Sequence, residues 1–354
     1  MTGRGRFICR LVVLAALAVS VIWPQAPGGE AVPAAAILQG SFHWTVSPPL
    51  LSADTREGDP GFSVKDPTVV YYNGKWHVFC TIRRQQRTHS IEYVSFHQWE
   101  NANAAPRHVL QCRPGYFCAP QVFYFRPHRK WYLVYQVGEQ GRKLGLQPAF
   151  STTTDISDPN SWTPAELFFP TEDPPGVSGW IDFWVICDSQ KAYLFFTSLN
   201  GRLWRMSTPL ADFPHGFANC QLALEHDIFE AGHLYSLKGL GKYLAVIEAQ
   251  NGPGGWRHYH AYLADALDGA WQPLAASEDN RFAGTDNITF AGERWTDSIS
   301  HGELIRAGYD ETLEVDPASL QFLFQGVTEA ARAGKPYGQI PWQLGLLTAA
   351  ERPE

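Results

Sequence analysis

The feature that most limits the possible folds is a β-hairpin unit that recurs along the chain. It consists of a polar or glycine-containing turn followed by an aromatic-rich strand, in the segments YYNGKWHVFC, FRPHRKWYLVYQ, CDSQKAYLFFTS and SLKGLGKYLAVIEA. The first aromatic residue after each turn is Trp76, Trp131, Tyr193 or Tyr243, at intervals of 55, 62 and 50 residues, and a weaker fifth copy surrounds Phe322. Such a repeat is typical of propeller blades, because one blade cannot bury both its faces without neighbours. The sequence therefore predicts an all-β, five-bladed β-propeller.

The two ends of the repeated region offer a way to close the ring. The early segment SFHWTV and the late segment WQLGLLT both have strand patterns, and pairing them in one sheet would remove open edges. Five blades of this size would fill residues 37–354, so we predict a single domain over that range. A two-sheet β-sandwich is the alternative architecture.

The N-terminal segment has the layout of a secretory signal peptide. Arg4, Arg6 and Arg10 precede an apolar run from Leu11 to Trp23, and Pro- and Ala-rich sequence follows. We interpret residues 1–36 as a signal peptide and short leader, which predicts a secreted, extracellular protein without a membrane anchor. The leader has three arginines and one glutamate, so its removal changes the net charge from −7 to −9. This acidic charge argues against nucleic acid or an anionic membrane as a partner, and we expect a monomer.

Five cysteines follow the leader, and their spacing fits no zinc motif. They are Cys80, Cys112, Cys118, Cys187 and Cys220. Cys112 and Cys118 flank a Pro-Gly turn, which makes them the best candidates for a disulfide. In the alternative interpretation all five are small buried apolar residues.

Three carboxyl groups stand at the start of successive β-units. Asp66 is in SVKDPTVVYY, Asp182 in GWIDFWVICD and Glu230 in EHDIFEAGHLY, each among large apolar residues. Burying an acid there is costly unless it is hydrogen-bonded, paired or chemically used. Pro67 lacks an N–H and favours an extended conformation at the preceding residue, so we expect it to hold Asp66 rigidly at the lip of a strand that starts at Thr68.

Carboxyl groups that converge in a propeller channel suit glycoside hydrolysis. An inverting hydrolase needs one acid to protonate the leaving oxygen and one carboxylate to activate water, roughly 6.5 to 9.5 Å apart. A third acid nearby would raise the pKa of the proton donor by like-charge repulsion. Each acid could instead have only a structural role, since Asp before Pro is common in turns and acids beside aromatics often bond to backbone.

Several motifs together resemble glycoside hydrolase family 62, the α-L-arabinofuranosidases that act on arabinoxylan. They are SVKDPTVVYYNGKWHVF, CAPQVFYF, WIDFWVICD, IFEA, ISHGELIR and PWQLGLL, in order between Phe42 and Thr348. The resemblance implies a five-bladed propeller, inversion, and removal of single arabinofuranosyl branches from arabinoxylan, with arabinan a further candidate substrate. It implies Asp66 as the general base, Glu230 as the general acid, and Asp182 as the residue that tunes and orients the acid.

The resemblance also implies substrate-binding residues. Lys65 would turn inward, donate to a sugar hydroxyl and help keep Asp66 ionised, whereas its alternative is a solvated surface lysine. We expect Gln121 to line the pocket, and Trp180 either to stack on a sugar or to fill the core. The family pattern has Tyr-Asn before its LPW segment, where both residues help to receive the xylan backbone. Here Tyr337 is kept and Gly338 replaces the asparagine, which puts one polymer contact in doubt.

One metal and no organic cofactor are expected from the resemblance. His301, in DSISHGELIR, would contact a calcium ion held largely by water at the propeller axis, although nitrogen is an unusual ligand for this cation. The alternative is a hydrogen-bonded core histidine. The His-rich segment GWRHYH alternates like a blade strand, and we interpret it as structural. Rival functions are a related propeller hydrolase, such as an arabinanase or β-xylosidase, and a non-catalytic carbohydrate-binding propeller.

Overall fold

The computed structural model describes residues 34–55, 58–252 and 254–350. The leader predicted over residues 1–36 lies almost wholly outside these residues. Within them, no helix has the length and apolar composition needed to cross a membrane.

The described residues form five β-sheets, which are the five blades of a propeller. The first strand, β1 (Trp44–Val46), belongs to the last blade. Blade I contains β2 (Gly61–Tyr72), β3 (Lys75–Arg84), β4 (Ser90–Phe96) and β5 (Arg107–Val109). Blade II contains β6 (Phe117–Phe125), β7 (Lys130–Gly138), β8 (Leu146–Thr153) and β9 (Glu166–Leu167). Blade III contains β10 (Ile181–Cys187), β11 (Lys191–Thr197), β12 (Arg202–Pro209) and β13 (Ala218–Glu225).

The last two blades carry additional short strands. Blade IV contains β14 (Glu230–Leu237), β15 (Lys242–Gln250), β16 (Arg257–Ala264), β17 (Gln272–Ser277) and β18 (Asn280–Arg281), and the short strand β21 (Glu314–Val315) joins this blade beside β14. Blade V contains β1 together with β19 (Ile288–Phe290), β20 (Ser300–Leu304), β22 (Gln321–Gly326) and β23 (Gln343–Ala349). Helices are short: α1 is Glu329–Arg332, and 3₁₀ turns occupy Ala34–Gln39, Trp99–Ala104, Arg126–His128, Leu210–Asp212 and Tyr337–Gln339.

The repeat found in the sequence corresponds to the blades. Trp76, Trp131, Tyr193 and Tyr243 each lie at the start of the second strand of a blade, and Phe322 lies in the second strand of blade V. These strands are buried along most of their length, because neighbouring blades cover both of their faces. The five-bladed prediction is therefore confirmed, and the β-sandwich alternative is wrong.

The ring closes through the two terminal segments, as the sequence predicted. Strand β1 pairs antiparallel with β23, with Trp44 opposite Ala349 and Val46 opposite Leu347. Trp44 is almost fully buried and its indole N–H donates to the carbonyl of Phe282. The first and last strands of the described residues therefore share one sheet, which closes the ring of blades.

Each innermost strand has a register shift near its beginning. The shifts lie at Lys65/Thr68, Cys118/Gln121, Ile181/Trp184, Glu230/Gly232 and Ser300/Gly302. In four of the five the shifted residue has a left-handed backbone: Asp66 (φ 47°), Ala119 (φ 52°), Asp182 (φ 56°) and Ala231 (φ 49°). The expectation that Pro67 holds Asp66 in an extended conformation is therefore wrong. A β-bulge within a strand that already begins at Gly61 redirects this carboxylate instead.

The backbone N–H of each shifted residue donates to a side chain of the neighbouring blade. The bonds are Asp66 to Gln325 (2.8 Å), Ala119 to Thr81 (2.9 Å), Asp182 to Gln136 (3.3 Å), Ala231 to Asp182 (3.0 Å) and His301 to Glu248 (2.6 Å). Every acceptor lies on the blade that precedes the donor around the ring. We call these five hydrogen bonds the interblade ring.

The predicted disulfide between Cys112 and Cys118 does not form. Both cysteines are free and buried, and the same holds for Cys80 and Cys187, while Cys220 is partly exposed. Cys112 packs in the core between blades I and II, and the Cys118 sulfur accepts a hydrogen bond from Gln136. The alternative interpretation, small buried residues, fits four of the five positions.

Candidate active site

The three predicted acids lie where the innermost strands begin. Asp66 is on β2, Asp182 on β10 and Glu230 on β14. Asp66 and Asp182 are each 6% exposed, and the Glu230 side chain is 14% exposed. His301, on β20, joins this group because its Nδ1 atom lies 3.4 Å from Asp66 and 3.9 Å from Asp182. The structure therefore brings together carboxyl groups that are far apart in sequence.

Asp66 is placed in a positively charged environment. Its carboxylate lies 3.9 Å from the Lys65 ammonium and 3.4 Å from the His301 ring. Burial alone would raise the pKa of Asp66, but the charge of Lys65 and then that of His301 outweigh burial and lower it. Asp66 is therefore ionised at neutral pH and can accept a proton.

Asp182 connects the site to the strand that carries Glu230. One of its oxygens accepts the backbone N–H of Ala231, the residue directly after Glu230, at 3.0 Å. Burial raises the pKa of Asp182, which His301 opposes and Asp66 reinforces. Asp182 is therefore well placed to fix the backbone next to Glu230 and to raise the pKa of the Glu230 carboxyl group.

Glu230 has the opposite titration behaviour from Asp66. Burial raises its pKa well above the ordinary value, and the negative charges of Glu248 and Asp182 add to this, while Arg257 opposes it. The Arg257 guanidinium lies 3.1 Å from a Glu230 oxygen. A carboxyl group with a raised pKa retains its proton at higher pH and can serve as a proton donor.

Two residues of the site were missed by the sequence analysis. Arg257 begins β16, in the GWRHYH segment that was interpreted as structural, and this interpretation is wrong for Arg257. Glu248, on β15, is fully buried and accepts from Arg257 at 2.7 Å, from Ser300 at 3.0 Å and from the His301 N–H. The available sequence signal was an acid within the otherwise apolar strand KYLAVIEAQ.

Lys65 turns inward, as predicted. It is 5% exposed, and its ammonium lies 4.9 Å from the centre of the Tyr337 ring, which is itself half-exposed. Burial would lower the pKa of Lys65, but Asp66 and Tyr337 outweigh burial and raise it. Lys65 therefore stays charged between the base candidate and the rim of the pocket.

Gln121 and Trp180 do not lie on the pocket surface. Gln121 has no exposed surface, and its amide both donates to and accepts from the backbone of Val185. It therefore joins blades II and III, and its predicted sugar contact is not supported. Trp180 packs edge-on against Phe183 and Phe196 and donates to a backbone carbonyl, so of its two predicted roles the core position is the one observed.

His301, the residue expected to contact calcium, has two carboxyl groups and a second histidine as neighbours. Among the described residues, no group of three or more His, Cys, Asp or Glu side chains could hold a metal ion. The His301 ring faces Asp66 and Asp182 on one side and the ring of His233 on another, at 5.3 Å between centroids. Calcium prefers six to eight oxygen ligands, so an ion here would have to be held mainly by water.

Comparisons with known proteins identify the family of the chain. Residues 43–348 match the family described as Glycosyl hydrolase family 62. The chain is 40% identical over 320 residues to alpha-L-arabinofuranosidase C of Cellvibrio japonicus, which covers 88% of this chain and 47% of that protein. The chain thus spans about half the length of this curated relative.

Solved structures give the same result. The catalytic domain of a Coprinopsis cinerea family 62 α-L-arabinofuranosidase has a TM-score of 0.81 and 38% identity, with 88% of this chain and 98% of that chain covered. A family 62 hydrolase in complex with xylotriose has a TM-score of 0.79 and 38% identity over the same shares. The match over most of the chain, at this identity, shows that the chain belongs to glycoside hydrolase family 62.

Proposed function

We propose that the protein is a secreted, inverting α-L-arabinofuranosidase that removes single arabinofuranosyl branches from arabinoxylan. The observation that carries this proposal is the convergence of Asp66, Asp182 and Glu230, with Asp66 beside Lys65 and His301 and with Asp182 bonded to the residue after Glu230. Asp66 has a lowered pKa and Glu230 a raised one. One ionised carboxylate and one protonated carboxyl on different strands are what general base and general acid catalysis require.

Each group has a defined part in the proposed reaction. Asp66 takes a proton from water as the water attacks the anomeric carbon, and Glu230 protonates the leaving xylose oxygen. Asp182 holds the backbone after Glu230 through Ala231 and adds negative charge that keeps the acid protonated. Lys65 keeps Asp66 ionised and is placed to donate to a sugar hydroxyl.

The substrate class is supported by the relatives. They are α-L-arabinofuranosidases, and one family 62 structure contains xylotriose. A xylan backbone beside the pocket fits these observations, with arabinan as a second candidate substrate. Membership of family 62 favours this activity over an arabinanase or β-xylosidase. The three acids, all present in the pocket, argue against a non-catalytic carbohydrate-binding protein.

Stereochemistry tests the proposal most directly. An α-linked arabinofuranosyl branch should be released first as β-arabinofuranose, because water attacks from the face opposite the leaving group. Proton NMR in the first minutes on wheat-type arabinoxylan would detect it before the anomers equilibrate. Initial α-arabinose, or transfer to methanol with kept configuration, would overturn the roles of Asp66 and Glu230. Absence of arabinose release would refute the activity itself.

Three further parts of the proposal have separate tests. Secretion rests on the leader sequence and is checked by expressing the full chain in a secreting host and sequencing the N-terminus of the exported protein. The monomeric state is checked by light scattering. A water-held calcium beside His301 should raise the melting temperature, so EDTA should lower that temperature and added calcium should restore it.

A further inference from the structure

A groove opens beside the three acids. It lies between the turn before β16 in blade IV and the connection from β22 to β23 in blade V, and its volume is about 360 Å³. Two of its lining residues belong to the site already described: Arg257, which contacts Glu230, and Tyr337, which lies over Lys65. A polymer whose branch occupies the pocket would therefore pass close to this groove.

The lining of the groove is rich in hydrogen-bond donors. Arg332 and Lys335 contribute positive side chains, against the single carboxylate of Glu329. Trp342, which is 3% exposed, also lines the groove, and its indole N–H has no hydrogen-bond partner within the described structure. Because that N–H is itself buried, the charged donors that a ligand in the groove can reach are those of Arg332 and Lys335.

The positive charge is a local departure from an acidic protein. The chain has a net charge of −7, and Arg257 is already paired with Glu230 and Glu248. Arg332 is held in place, because its guanidinium lies 5.2 Å from the centre of the Trp256 ring and donates to the carbonyl of Gly254. Lys335 is exposed and has no ion pair with any described residue. These two cations therefore remain able to attract an anion.

We propose that this groove binds a carboxylate-bearing sugar, such as a uronic acid carried on the same polysaccharide as the arabinofuranosyl branch. A carboxylate supplies the negative charge that Arg332 and Lys335 attract, and its oxygens can accept from their N–H groups. The inference rests on the proposed function for the identity of the polymer. It concerns recognition of the backbone next to the cleaved branch and does not alter the catalytic roles.

A matched pair of polymers tests the inference. Affinity electrophoresis of the whole protein would compare glucuronic-acid-substituted arabinoxylan with the same polymer after its carboxyl groups are reduced to alcohols. The unreduced polymer should bind roughly two- to fivefold more tightly at low salt, as expected for a partly exposed ion pair. The preference should shrink in 0.5 M NaCl, where charges on the surface are screened.

Three variants locate the effect. Lys335→Glu should abolish or reverse the preference, and Arg332→Gln, which removes the other positive charge of the groove, should weaken it. Lys130→Glu is the matched control, because it makes the same charge change at an exposed lysine in another blade, at the start of β7 and after the end of β6. This variant should retain the preference for the acidic polymer. Equal binding of both polymers by the wild-type protein, or a preference unchanged in Lys335→Glu, would show that the inference is wrong.

The outcome is separable from that of the proposed function. Binding needs no turnover, whereas arabinose release from the carboxyl-reduced polymer reports only the proposed activity. A protein that releases arabinose but has no preference contradicts the groove inference alone. A protein that prefers the acidic polymer but releases no arabinose supports the groove and contradicts the proposed activity.

Discussion

Glu248→Gln should move the pH dependence of catalysis while keeping the shape of the side chain. Glu248 is fully buried, and one Arg257 nitrogen is shared between Glu248 at 2.7 Å and Glu230 at 3.1 Å. Glu248 therefore has two effects on the proposed acid. Its negative charge raises the pKa of Glu230, and its bond to Arg257 reduces the share of the positive charge that acts on Glu230. The variant removes both effects, and both changes lower the pKa of Glu230.

The contacts set the size of the effect. Because the same Arg257 nitrogen bonds both carboxylates, their oxygens lie within about 6 Å of each other. Two unit charges at that distance interact by about 3 kcal/mol at an effective dielectric constant of 20. Activity requires Glu230 to be protonated, so the alkaline limb of kcat/KM should move to lower pH, by about one pH unit or more.

The assay is the pH profile of kcat/KM on arabinoxylan for wild type, Glu248→Gln and the double variant Glu248→Gln/Arg257→Gln. The double variant also removes the opposing positive charge, so its limb should return toward that of wild type. Glu225→Gln, on the outermost strand of blade III, is the matched control and should leave the profile unchanged. An aryl arabinofuranoside with a good leaving group needs little protonation and should be affected less.

A merely structural role for Glu248 gives a different pattern. It predicts a lower melting temperature and lower activity at every pH, with the alkaline limb in its original place and no rescue in the double variant. That pattern would refute the assignment of Glu248 as a positioning residue for Glu230.

Three other predictions follow from the described contacts. Glu230→Gln should reduce kcat on arabinoxylan on the order of 10²–10⁴-fold with unchanged circular dichroism, and a loss below threefold would contradict its role as the acid. Gly302→Ala should lower the free energy of unfolding by about 1–3 kcal/mol in urea titrations, because a Cβ there would lie 2.6 Å from the Leu323 carbonyl oxygen, whereas Gly145→Ala, with open space around it, should be nearly neutral. Gly338→Asn restores the family residue at a position with room for a Cβ, 3.6 Å from the Arg83 side chain. It should raise kcat/KM on arabinoxylan roughly two- to tenfold, the value of one hydrogen bond, and leave an aryl arabinofuranoside unaffected, while equal changes on both would contradict a polymer contact.

The sequence was sufficient for the architecture because the repeat is local. A turn followed by an aromatic strand is visible within about ten residues, and Trp76 and its counterparts mark the second strand of each blade. The positions of Asp66, Asp182 and Glu230 at blade starts follow from the same repeat. The resemblance to family 62 added their roles, which the sequence periodicity alone did not give.

Two of the remaining errors share one physical cause, which is contact between blades distant in sequence. Gln121 bonds to Val185 and Glu248 bonds to His301, and neither pairing has a local sequence signal. For Trp180 the sequence left two roles open, and packing against Phe183 and Phe196 of its own blade, with a hydrogen bond to Leu146 of blade II, selects the core position. The conformation of Asp66 was predicted from its neighbour Pro67, but the register shift in β2 determines it.

The interblade ring explains how the site tolerates its strained backbone. A left-handed conformation costs a non-glycine residue about 1–2 kcal/mol, and both Asp66 and Asp182 adopt it. In each case the N–H freed from the strand pairing is bound by a glutamine of the neighbouring blade, Gln325 or Gln136, so neither of these two N–H groups is left without a partner.

Blade III departs from the pattern of the ring in a way that bears on catalysis. In blades I, II, IV and V the acceptor lies on the second strand, but in blade III it is Asp182, on the first strand, that accepts from Ala231. The second-strand residue Thr197, opposite Ile181, is buried and its hydroxyl has no partner in the described structure. Asp182 has thus taken over a structural bond next to Glu230. Replacement of Asp182 should therefore have two consequences for Glu230: its pKa should fall, because a neighbouring negative charge is lost, and its backbone should lose the bond that fixes Ala231.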